Sequence, residues 1–486
     1  MKIKVGMKKM NMSQIAKICG CRVTMIGNDA PTDFVSICTD SREAGEHSLF
    51  LALRGEKVDG HSYILNALAN GCTCVLCEYL PDTLKNSGLC FSALIVPDVI
   101  KALGAISKVY GRHVAQKKVA VTGSVGKTTT KEMIASVLSE HFHVHKTEGN
   151  HNSTLGMPLS LLAADEGTEV SVLEMGMSGL GEIEFMSRVA EPDIAVITNI
   201  GSSHLEMLGS RENICSAKME IVQGLQPNGK LILNGDEPLL CLMRGSDYHP
   251  LFVSVHSREA DYRAMNIRYT SHGTVFDMIY QRRVATNIEI PVLGEHHVYN
   301  ALFAWAVAIE MGVPEEAIRR GLAHFHNTGL RQRVIEWEGV TILEDCYNAS
   351  PESMRAALQV LDAMEAQMGA GRKIALLGDM KDLGPDSADM HRAVGAMAAD
   401  TDLDLLITYG DLAVDIALEA VMHGVPREHV IVLSQSKGKT EAARILRENL
   451  RRGDYLLVKA SRAMAMEDIL TLLKQGTLQS TGTEEV

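Results

Sequence analysis

Short apolar runs rich in valine, isoleucine and leucine alternate with helical stretches along most of this chain of 486 residues. Such alternation predicts largely parallel sheets with helices on both faces, which is the α/β class. At roughly 150 residues per domain, this length predicts about three domains. We expect them over residues 1–115, 116–328 and 329–486, with a hinge at residues 327–330.

The first of these regions reads as a small α/β domain. Its predicted strands are 34–38, 48–53, 74–77 and 93–96, and its predicted helices are 63–70 and 99–110. The opening residues carry four lysines but lack the continuous apolar core of a secretory signal. Met7, Met10 and Met12 are alternative starts, so we expect the first dozen residues to be a dispensable extension. Ser13 is the predicted N-cap of the first helix.

The second and third regions repeat the pattern. The second has predicted strands at 118–122, 170–175, 194–200, 231–233 and 251–255, then a hairpin-rich insert at 260–293 and helices at 298–311 and 314–325. The third has predicted strands at 340–345, 373–377, 405–409, 429–433 and 455–459. Five strands in about 150 residues predict a Rossmann-like, doubly wound domain.

Composition excludes several classes of protein. The net charge is −13 and the pI is near 5.8, so we expect no nucleic-acid partner. The sequence has no run of 18 apolar residues, so we expect no membrane insertion and a cytoplasmic protein. It has no sizeable coiled-coil heptad pattern, and we expect a monomer.

The ten cysteines are predicted to be structural. Cys74 and Cys77 form a CxxC pair within a predicted strand, where positions three apart face opposite ways. No second CxxC is present to complete a zinc site. We therefore expect small buried apolar side chains in a reducing compartment.

The strongest local signal is TGSVGKTTT at residues 122–130. A β-rich run precedes it and a helical stretch follows, which is the context of a phosphate-binding loop. Glycines turn backbone N–H groups toward a phosphate, while Lys127 and Thr128 are of the types that contact phosphate and Mg²⁺. Val121 stands where the usual pattern has its first glycine, so an ordinary β–α turn remains the alternative. The segment predicts a central P-loop ATPase-type domain with a parallel sheet.

Three further side chains follow the neighbouring strands. Glu174 ends one apolar run, His204 follows the next, and Lys218 lies one helical segment later. Because open α/β sheets bind ligands at the carboxyl edge, Glu174 is a candidate for holding Mg²⁺ on a triphosphate. A capping glutamate, a structural histidine and a solvated lysine are the alternatives.

These motifs are similar to those of the Mur ligases, ATP-dependent enzymes that form amide bonds in peptidoglycan precursor synthesis. The resemblance runs from about residue 12 to about residue 473. It is carried by TDSR (39–42), LFLALRGEKVDGH (49–61), TGSVGKTTTKE (122–132), GNHNSTLGMPLSLL (149–162), EMGMSGLGEI (174–183), NIGSSHLE (199–206), AKMEI (217–221), NGDEP (234–238), TGLR (328–331), DCYNASPESMRAAL (345–358) and LGDMKDLG (377–384).

The resemblance implies a UDP-binding N-terminal domain, a central ATPase domain and a C-terminal domain that closes over ATP. It implies that ATP phosphorylates a substrate carboxylate and that an amine attacks the acyl phosphate. The YNASP and LGDM blocks resemble the branch of the family that joins D-alanyl-D-alanine to a UDP-N-acetylmuramoyl-tripeptide. ATP and two Mg²⁺ ions are the implied ligands besides these substrates.

The resemblance also assigns roles to residues. The implied catalytic residues are Lys127, His204 and Lys218, with Lys218 carbamylated. The implied metal ligands are Thr128, Glu174, His204 and Lys218. The implied ATP contacts are Gly123, Ser124, Val125, Gly126, Lys127, Thr128, Thr129, Asn300, Arg331 and Asp345. The implied substrate contacts are Asp40, Ser41 and Arg42 for the uridine nucleotide, Asn150 and Asn152 near the γ-phosphate, and Tyr347, Asn348 and Ser350 for the dipeptide.

Three positions depart from the family pattern: His297 replaces an asparagine, Ser153 replaces another, and Asp382 stands where a glutamate is usual. Asp345 and Asp379 could instead shape a strand end and a turn, and Ser353 is predicted to cap a helix. Another Mur ligase, a folate polyglutamate synthase, a nucleotide-gated switch and a P-loop kinase are the alternative functions.

Overall fold

A computed structural model describes residues 4–27, 30–55, 58–85, 87–114, 117–270, 272–327 and 330–476. Three sheets follow one another along these ranges, which confirms the predicted α/β class. The predicted domain boundaries at 115/116 and 328/329 lie outside the described residues, as do Thr328 and Gly329 of the predicted hinge. Each helix in the described ranges is too short or too polar to span a bilayer.

The N-terminal sheet is mixed and covered by helices. Its strands are β1 (Lys4–Asn11), β2 (Val23–Ile26), β3 (Asp33–Cys38), β4 (Ser48–Leu51), β5 (Cys74–Cys77) and β6 (Phe91–Ile95), and its helices are α1 (Met12–Cys19), α2 (Ile64–Ala69), α3 (Asp82–Lys85) and α4 (Val99–Val114). The strand order is β1-β3-β4-β5-β6-β2.

Two expectations about the start of the chain are wrong. Residues 4–11 are not a dispensable extension, because they form β1, which pairs antiparallel with β3, and Met12 behind them is fully buried. The N-cap of α1 is Asn11 and not Ser13. The Asn11 side chain accepts from the Gln14 N–H, and the Gln14 side chain accepts from the Asn11 N–H. The sequence pattern placed the cap two residues late.

The central sheet is parallel over most of its width. Its strands are β7 (Lys117–Thr122), β8 (Val144–Lys146), β9 (Val170–Glu174), β10 (Ile194–Ile197), β11 (Lys230–Asn234), β12 (Leu251–Ser254), β13 (Tyr262–Thr270), β14 (Gly273–Tyr280) and β15 (Arg283–Ile290). Its helices are α5 (Lys127–Leu138), α6 (Gly156–Leu162), α7 (Glu182–Ala190), α8 (Leu205–Leu208), α9 (Arg211–Met219), α10 (Pro238–Cys241), α11 (Glu295–Glu310) and α12 (Glu315–Ala323).

The order of this sheet is β15-β14-β13-β12-β11-β10-β7-β9-β8. Strands from β8 to β13 run parallel, and β13, β14 and β15 form an antiparallel meander, so the predicted hairpin-rich insert extends the sheet. The apolar helix α11 packs against α5, and its Trp305 is completely buried. This packing brings the first turns of α11 close to the phosphate loop.

The C-terminal domain follows the predicted doubly wound plan with an added edge strand. Its strands are β16 (Arg333–Trp337), β17 (Val340–Asp345), β18 (Lys373–Gly378), β19 (Leu405–Tyr409), β20 (Val430–Leu433) and β21 (Tyr455–Lys459), and its helices are α13 (Pro351–Met368), α14 (Ser387–Asp400), α15 (Val414–Met422), α16 (Gly438–Asn449) and α17 (Glu467–Lys474). The order is β16-β17-β21-β18-β19-β20, in which β16 alone pairs antiparallel among the described strands. The sequence analysis missed β16 because its residues are largely exposed and form no apolar run.

One hydrophobic cluster spans the first two domains. Leu159 and Leu162 of α6 pack among the buried residues of the N-terminal sheet and α4. The Tyr110 hydroxyl donates to the Ala164 carbonyl at 2.9 Å and accepts from the Lys8 N–H at 3.0 Å. This continuous packing fixes the N-terminal domain beside the central one.

The predicted burial holds for five of the ten cysteines (Cys38, Cys72, Cys74, Cys77 and Cys346), while four are partly exposed and Cys90 is exposed. All ten cysteines lie within the described ranges and none forms a disulfide. Cys74 and Cys77 are fully buried on opposite faces of the sheet, and burial raises the pKa of each thiol to about 12. Such thiols stay protonated and act as small apolar side chains.

Candidate active site

The phosphate loop lies between β7 and α5, as the sequence predicted. Gly123 and Gly126 have φ values of 151° and 84°, in a region that disfavours other residues. A Cβ on Gly123 would lie 1.9 Å from the Thr198 hydroxyl oxygen, so no larger residue fits there. The loop thus brings the N-terminus of α5 to the carboxyl edge of the sheet, where the helix dipole favours an anion.

The Lys127 side chain folds over this loop. Its ammonium donates to the carbonyls of Gly123 at 2.8 Å and Ser124 at 3.2 Å. Burial lowers the pKa of Lys127, the nearby Glu174 opposes that shift, and Arg331 adds to it. A phosphate beside the ammonium would offset the cost of burying its charge, since the charged form gains a close partner.

Glu174 ends β9 and is 1% exposed. Its Oε1 accepts from the Thr128 hydroxyl at 3.1 Å and from the Asn152 amide at 2.7 Å. Its Oε2 has no hydrogen-bond partner among the described residues, although the Lys131 ammonium lies 3.6 Å away. An orphaned buried carboxylate oxygen is costly, and a cation bound to it would offset that cost. Carboxylate and hydroxyl oxygens are ligands that Mg²⁺ prefers, so Glu174 and Thr128 fit the ion.

His204 lies at the N-cap of α8 with a left-handed φ of 68°. Burial, together with the charges of Lys127 and Lys218, lowers the pKa of His204 to about 4. The imidazole is therefore neutral near pH 7 and keeps a lone pair that can bind a metal.

Lys218 lies in the last turn of α9 and is 1% exposed. Burial, and then the charge of Lys127, holds the pKa of its ammonium well below the usual value. Within the described ranges no carboxylate pairs with it, which is unusual for a buried lysine. No group of three or more His, Cys, Asp or Glu side chains is placed to hold a metal in those ranges.

A cavity of about 690 Å³ joins the central and C-terminal domains at this edge. Most of the predicted site residues line it: Ser124, Val125, Gly126, Lys127, Thr128, Thr129, Asn150, Asn152, Glu174, His204, Asn300, Arg331, Asp345, Tyr347, Asn348 and Ser350. Gly123 and Lys218 do not line the cavity. Tertiary structure thus gathers side chains that are more than 200 residues apart in sequence.

The first turns of α11 form another wall. Asn300 accepts from the Thr130 hydroxyl at 2.9 Å, and its amide nitrogen lies 3.3 Å from His297 Nδ1. His297 Nε2 lies 2.6 Å from Gln332 Oε1. Burial and the adjacent His296 hold the pKa of His297 well below its usual value, so the ring is neutral and donates from Nε2. The departure at His297 therefore builds a polar link from α11 to the C-terminal domain.

The C-terminal domain contributes Arg331 and the segment after β17. The Arg331 guanidinium donates to the Thr128 hydroxyl at 3.2 Å and lies 4.0 Å from the centre of the Tyr347 ring. The buried Lys459 ammonium donates to Asp345 Oδ2 at 2.7 Å and to the Asn348 carbonyl at 2.8 Å. These contacts fix residues 345–348 against the phosphate loop.

The helix α13 begins with two serines, Ser350 and Ser353, that hydrogen-bond to each other. The N-cap of α13 is Ser350, which accepts from the Ser353 N–H, and Ser353 donates back to the Ser350 carbonyl as the third helical residue. The prediction that Ser353 is the cap is wrong, because Pro351 already occupies the first helical position. Asp379 was predicted, as an alternative, to shape a turn. Its Oδ1 accepts from the N–H groups of Leu412 and Ala413, in the turn before α15.

Three predicted site residues lie elsewhere. Asp40 accepts from the Arg42 guanidinium at 2.9 and 2.6 Å, and the Ser41 carbonyl accepts from the Asn70 amide. These residues belong to the N-terminal domain and do not line the cavity. Their role toward a uridine nucleotide stays a prediction.

The sequence analysis missed several residues of the site. Glu352 in the first turn of α13 accepts from the Ser202 N–H and hydroxyl at 3.1 Å, which joins the C-terminal and central domains. Asp236 accepts from the Tyr299 hydroxyl at 2.6 Å on the cavity wall. Thr198 and Asn199 contact the phosphate loop directly. The position of Thr198 and Asn199 at the end of an apolar run was the one signal that could have found them.

Sequence models of one protein family match three stretches of the chain. These are the Mur ligase family catalytic domain at residues 33–121, the Mur ligase middle domain at 121–308, and the Mur ligase glutamate ligase domain at 331–462. Among curated proteins, the UDP-N-acetylmuramoyl-tripeptide–D-alanyl-D-alanine ligase of Bacillus subtilis is 39% identical over 444 residues, covering 91% of this chain and 93% of that protein.

Solved structures agree with the sequence matches. A crystal structure of MurF from Acinetobacter baumannii is 30% identical and superposes with a TM-score of 0.86, covering 97% of this chain and 100% of that one. MurF ligase from Thermotoga maritima in complex with ADP is 29% identical with a TM-score of 0.78, covering 90% of this chain and 97% of that one.

Proposed function

The chain belongs to the Mur ligase family, and on that premise we propose how its residues join D-alanyl-D-alanine to a UDP-N-acetylmuramoyl-tripeptide with ATP. The observation that carries the proposal is the shared cavity, in which the phosphate loop faces the segment from Tyr347 to Ser350 across one space. A nucleotide on the loop and an amine donor on the C-terminal side would then meet at the tripeptide carboxylate.

The reaction needs an activated carboxylate, because a free carboxylate is a poor electrophile. An oxygen of the tripeptide carboxylate attacks the γ-phosphorus of ATP, the bond to the β-γ bridging oxygen breaks, and ADP leaves. The amine of D-alanyl-D-alanine then attacks the carbonyl carbon of the acyl phosphate. The tetrahedral intermediate expels phosphate, the nitrogen loses a proton, and the amide remains. The protein contributes position and charge.

Lys127 and the N-terminus of α5 neutralise the transferring phosphoryl group in this proposal. Asn150 and Asn152 hold the γ-phosphate side of the substrate, and Asn300 lies on the adenine side. Arg331 and Asp345 reach the nucleotide from the C-terminal domain, while Tyr347, Asn348 and Ser350 hold the dipeptide. The direct bond from Arg331 to Thr128 supports the idea that the C-terminal domain completes the ATP site.

Mg²⁺ fits the donor set described above. Thr128 and Glu174 would hold one ion, and His204 together with a carbamylated Lys218 would hold a second. Bound there, the ions would draw negative charge from the phosphoryl and carboxylate oxygens.

The low pKa of Lys218 supports carbamylation. A neutral amine can attack the carbon of CO₂, forming an N–C bond and releasing one proton, and the product is an anionic carbamate. This change would convert a buried amine, which pairs with no carboxylate among the described residues, into an anionic metal ligand with two oxygen donors.

We also propose that the enzyme acts in the cytoplasm, where ATP and UDP-linked precursors are available, and as a monomer. Size-exclusion chromatography with light scattering tests this expectation.

A coupled assay for ADP release, with each substrate omitted in turn, tests the function. We expect ADP release to require both the UDP-linked tripeptide and D-alanyl-D-alanine. Full-rate release without the dipeptide would contradict the ligase and favour a P-loop kinase or a nucleotide switch. A preference for another amino acid in place of the dipeptide would favour another Mur ligase or a folate polyglutamate synthase.

Replacing Arg331 with methionine is expected to raise KM for ATP about tenfold to hundredfold, because a charged hydrogen bond to Thr128 is lost. Initial rates at varied ATP measure this effect. Arg392→Met removes a half-exposed arginine of α14 outside the cavity and is the matched control. Equal KM values for Arg331→Met and the wild type would exclude the assigned role.

A further inference from the structure

The two residues that follow β10 hydrogen-bond to the phosphate loop. The Thr198 hydroxyl donates to the Val125 carbonyl at 2.6 Å. Asn199 Oδ1 accepts from the Ser124 N–H at 3.1 Å and from the Val125 N–H at 2.9 Å. The Asn199 carbonyl also accepts from the Ser124 N–H at 3.1 Å. These two neighbouring residues form the Thr198/Asn199 clamp. Together they accept from the N–H groups of Ser124 and Val125 and donate to the Val125 carbonyl.

A second asparagine supports the clamp from the next strand. The Asn234 amide at the end of β11 donates to the Thr198 carbonyl at 3.1 Å, and Asn234 Oδ1 accepts from the Asp236 N–H at 2.9 Å. Gly123 allows the clamp to approach, since a Cβ there would collide with the Thr198 hydroxyl oxygen. Hydrogen bonds therefore connect the ends of three adjacent strands, β7, β10 and β11, at the wall of the cavity.

The clamp has a consequence for where a phosphate can bind. Backbone N–H groups in a phosphate loop ordinarily point at the anion. Here the amides of Ser124 and Val125 are already taken by an amide oxygen of the protein. The loop donors left for a phosphate are the N–H of Gly126 and those at the start of α5, from Lys127 to Thr129. Val121 stands where the longer loop pattern has its first glycine, and it lies within β7.

We propose that Thr198 and Asn199 are positioning residues that hold the phosphate loop in its nucleotide-binding shape and direct the phosphates to the N-terminus of α5. Asn199 acts through the loop and donates no group to the reacting atoms. This inference rests on the proposed function only in taking ATP as the ligand of the loop.

Three variants test the clamp. Asn199→Ala removes the side-chain acceptor of both amides, although the Ser124 N–H keeps the Asn199 backbone carbonyl as an acceptor. Asn199→Asp keeps an acceptor of the same shape but adds a negative charge, and Thr198→Val removes the hydroxyl at nearly constant volume. Asn449→Ala, at the end of α16 in the C-terminal domain, is the matched control. Hydrogen–deuterium exchange of the nucleotide-free enzyme reports the loop amides, and calorimetry measures Kd for MgADP.

For Asn199→Ala we expect exchange at Val125 to be about tenfold faster and Kd for MgADP to be about tenfold higher, because the hydrogen bonds to the side chain are lost. Exchange at Ser124 should rise by a smaller factor, since its N–H still donates to the Asn199 backbone carbonyl. Asn199→Asp should keep the protection from exchange and still raise Kd, since its charge repels phosphate. Thr198→Val should raise Kd by a smaller factor. With saturating ATP, kcat of Thr198→Val should fall less than kcat/KM.

Unchanged exchange at Val125 in a folded Asn199→Ala variant would overturn the proposal. Tighter MgADP binding by that variant would also overturn it, since Asn199 would then compete with phosphate for the amides. If Asn199→Ala does not fold, Asn199→Asp carries the test. Its loop amides should stay protected from exchange while its Kd for MgADP rises. Neither readout involves the acyl acceptor, so failure of the clamp is distinguishable from failure of the ligase function.

Discussion

Lys127→Ala is expected to lower turnover by about 10³-fold or more, to the background of the assay. Lys127 is the cation folded over the phosphate loop, and its ammonium lies 2.8 Å from the Gly123 carbonyl at the point where the transferring phosphoryl group would gain charge. Its loss removes stabilisation that is greatest in the transition state, so kcat should fall along with affinity for ATP. Initial rates of ADP release with all substrates saturating measure the effect.

The matched control is Lys101→Ala, which removes an exposed lysine of α4. It should leave the rate within experimental error of the wild type, and both variants should keep the wild-type melting temperature within a few degrees. A Lys127→Ala enzyme with a near-normal rate would exclude the assigned role of the phosphate loop.

Lys218→Ala is expected to be nearly inactive and partly rescued by added short carboxylates such as acetate. The rescue is expected because the substitution leaves space beside His204 for an external carboxylate, which can supply the oxygen donors of a carbamate. Rates measured against increasing carboxylate concentration should rise and then saturate. Activity equal to the wild type without any addition would contradict a metal-bridging carbamate.

Lys127→Ala provides the control for rescue, since a carboxylate cannot replace a cation. Added acetate should leave its rate unchanged. Wild-type enzyme kept with bicarbonate and analysed by intact mass spectrometry under mild conditions should carry the mass of one added CO₂, and the Lys218→Ala variant should not. Equal masses for the two samples, after correction for the substitution, would count against the modification.

Much of the fold follows from local pattern. Parallel strands buried on both faces are nearly continuous apolar runs, and the predicted strand at 455–459 coincides with β21, all of whose residues are buried. Elements without such a run were missed or misplaced: β1 and β16 are sheet edges with exposed, polar residues. Their pairing depends on the strand beside them, so no local signal reveals it.

The phosphate loop was predictable because its function depends on neighbours in sequence. Glycine flexibility, the lysine and the helix start all lie within nine residues. Glu174 was a candidate because the strand before it is an apolar run, which predicts its place at the carboxyl edge. The roles given to Lys218, Asn300 and Arg331 came from resemblance, since composition and spacing alone left each of them an ordinary polar residue.

The sequence by itself determined the α/β class, the order of the three regions and the position of the phosphate loop, because alternating apolar periodicity and loop chemistry are local properties. Only the tertiary structure decided which residues meet. It brought Arg331 to Thr128, Glu352 to Ser202 and Asn199 to the loop amides. Among the described residues, it also buried Lys218 without a carboxylate partner and left Glu174 Oε2 without a hydrogen-bond donor. The physical reason is that burial and pairing are set by the packing of strand ends and domains that are distant in sequence.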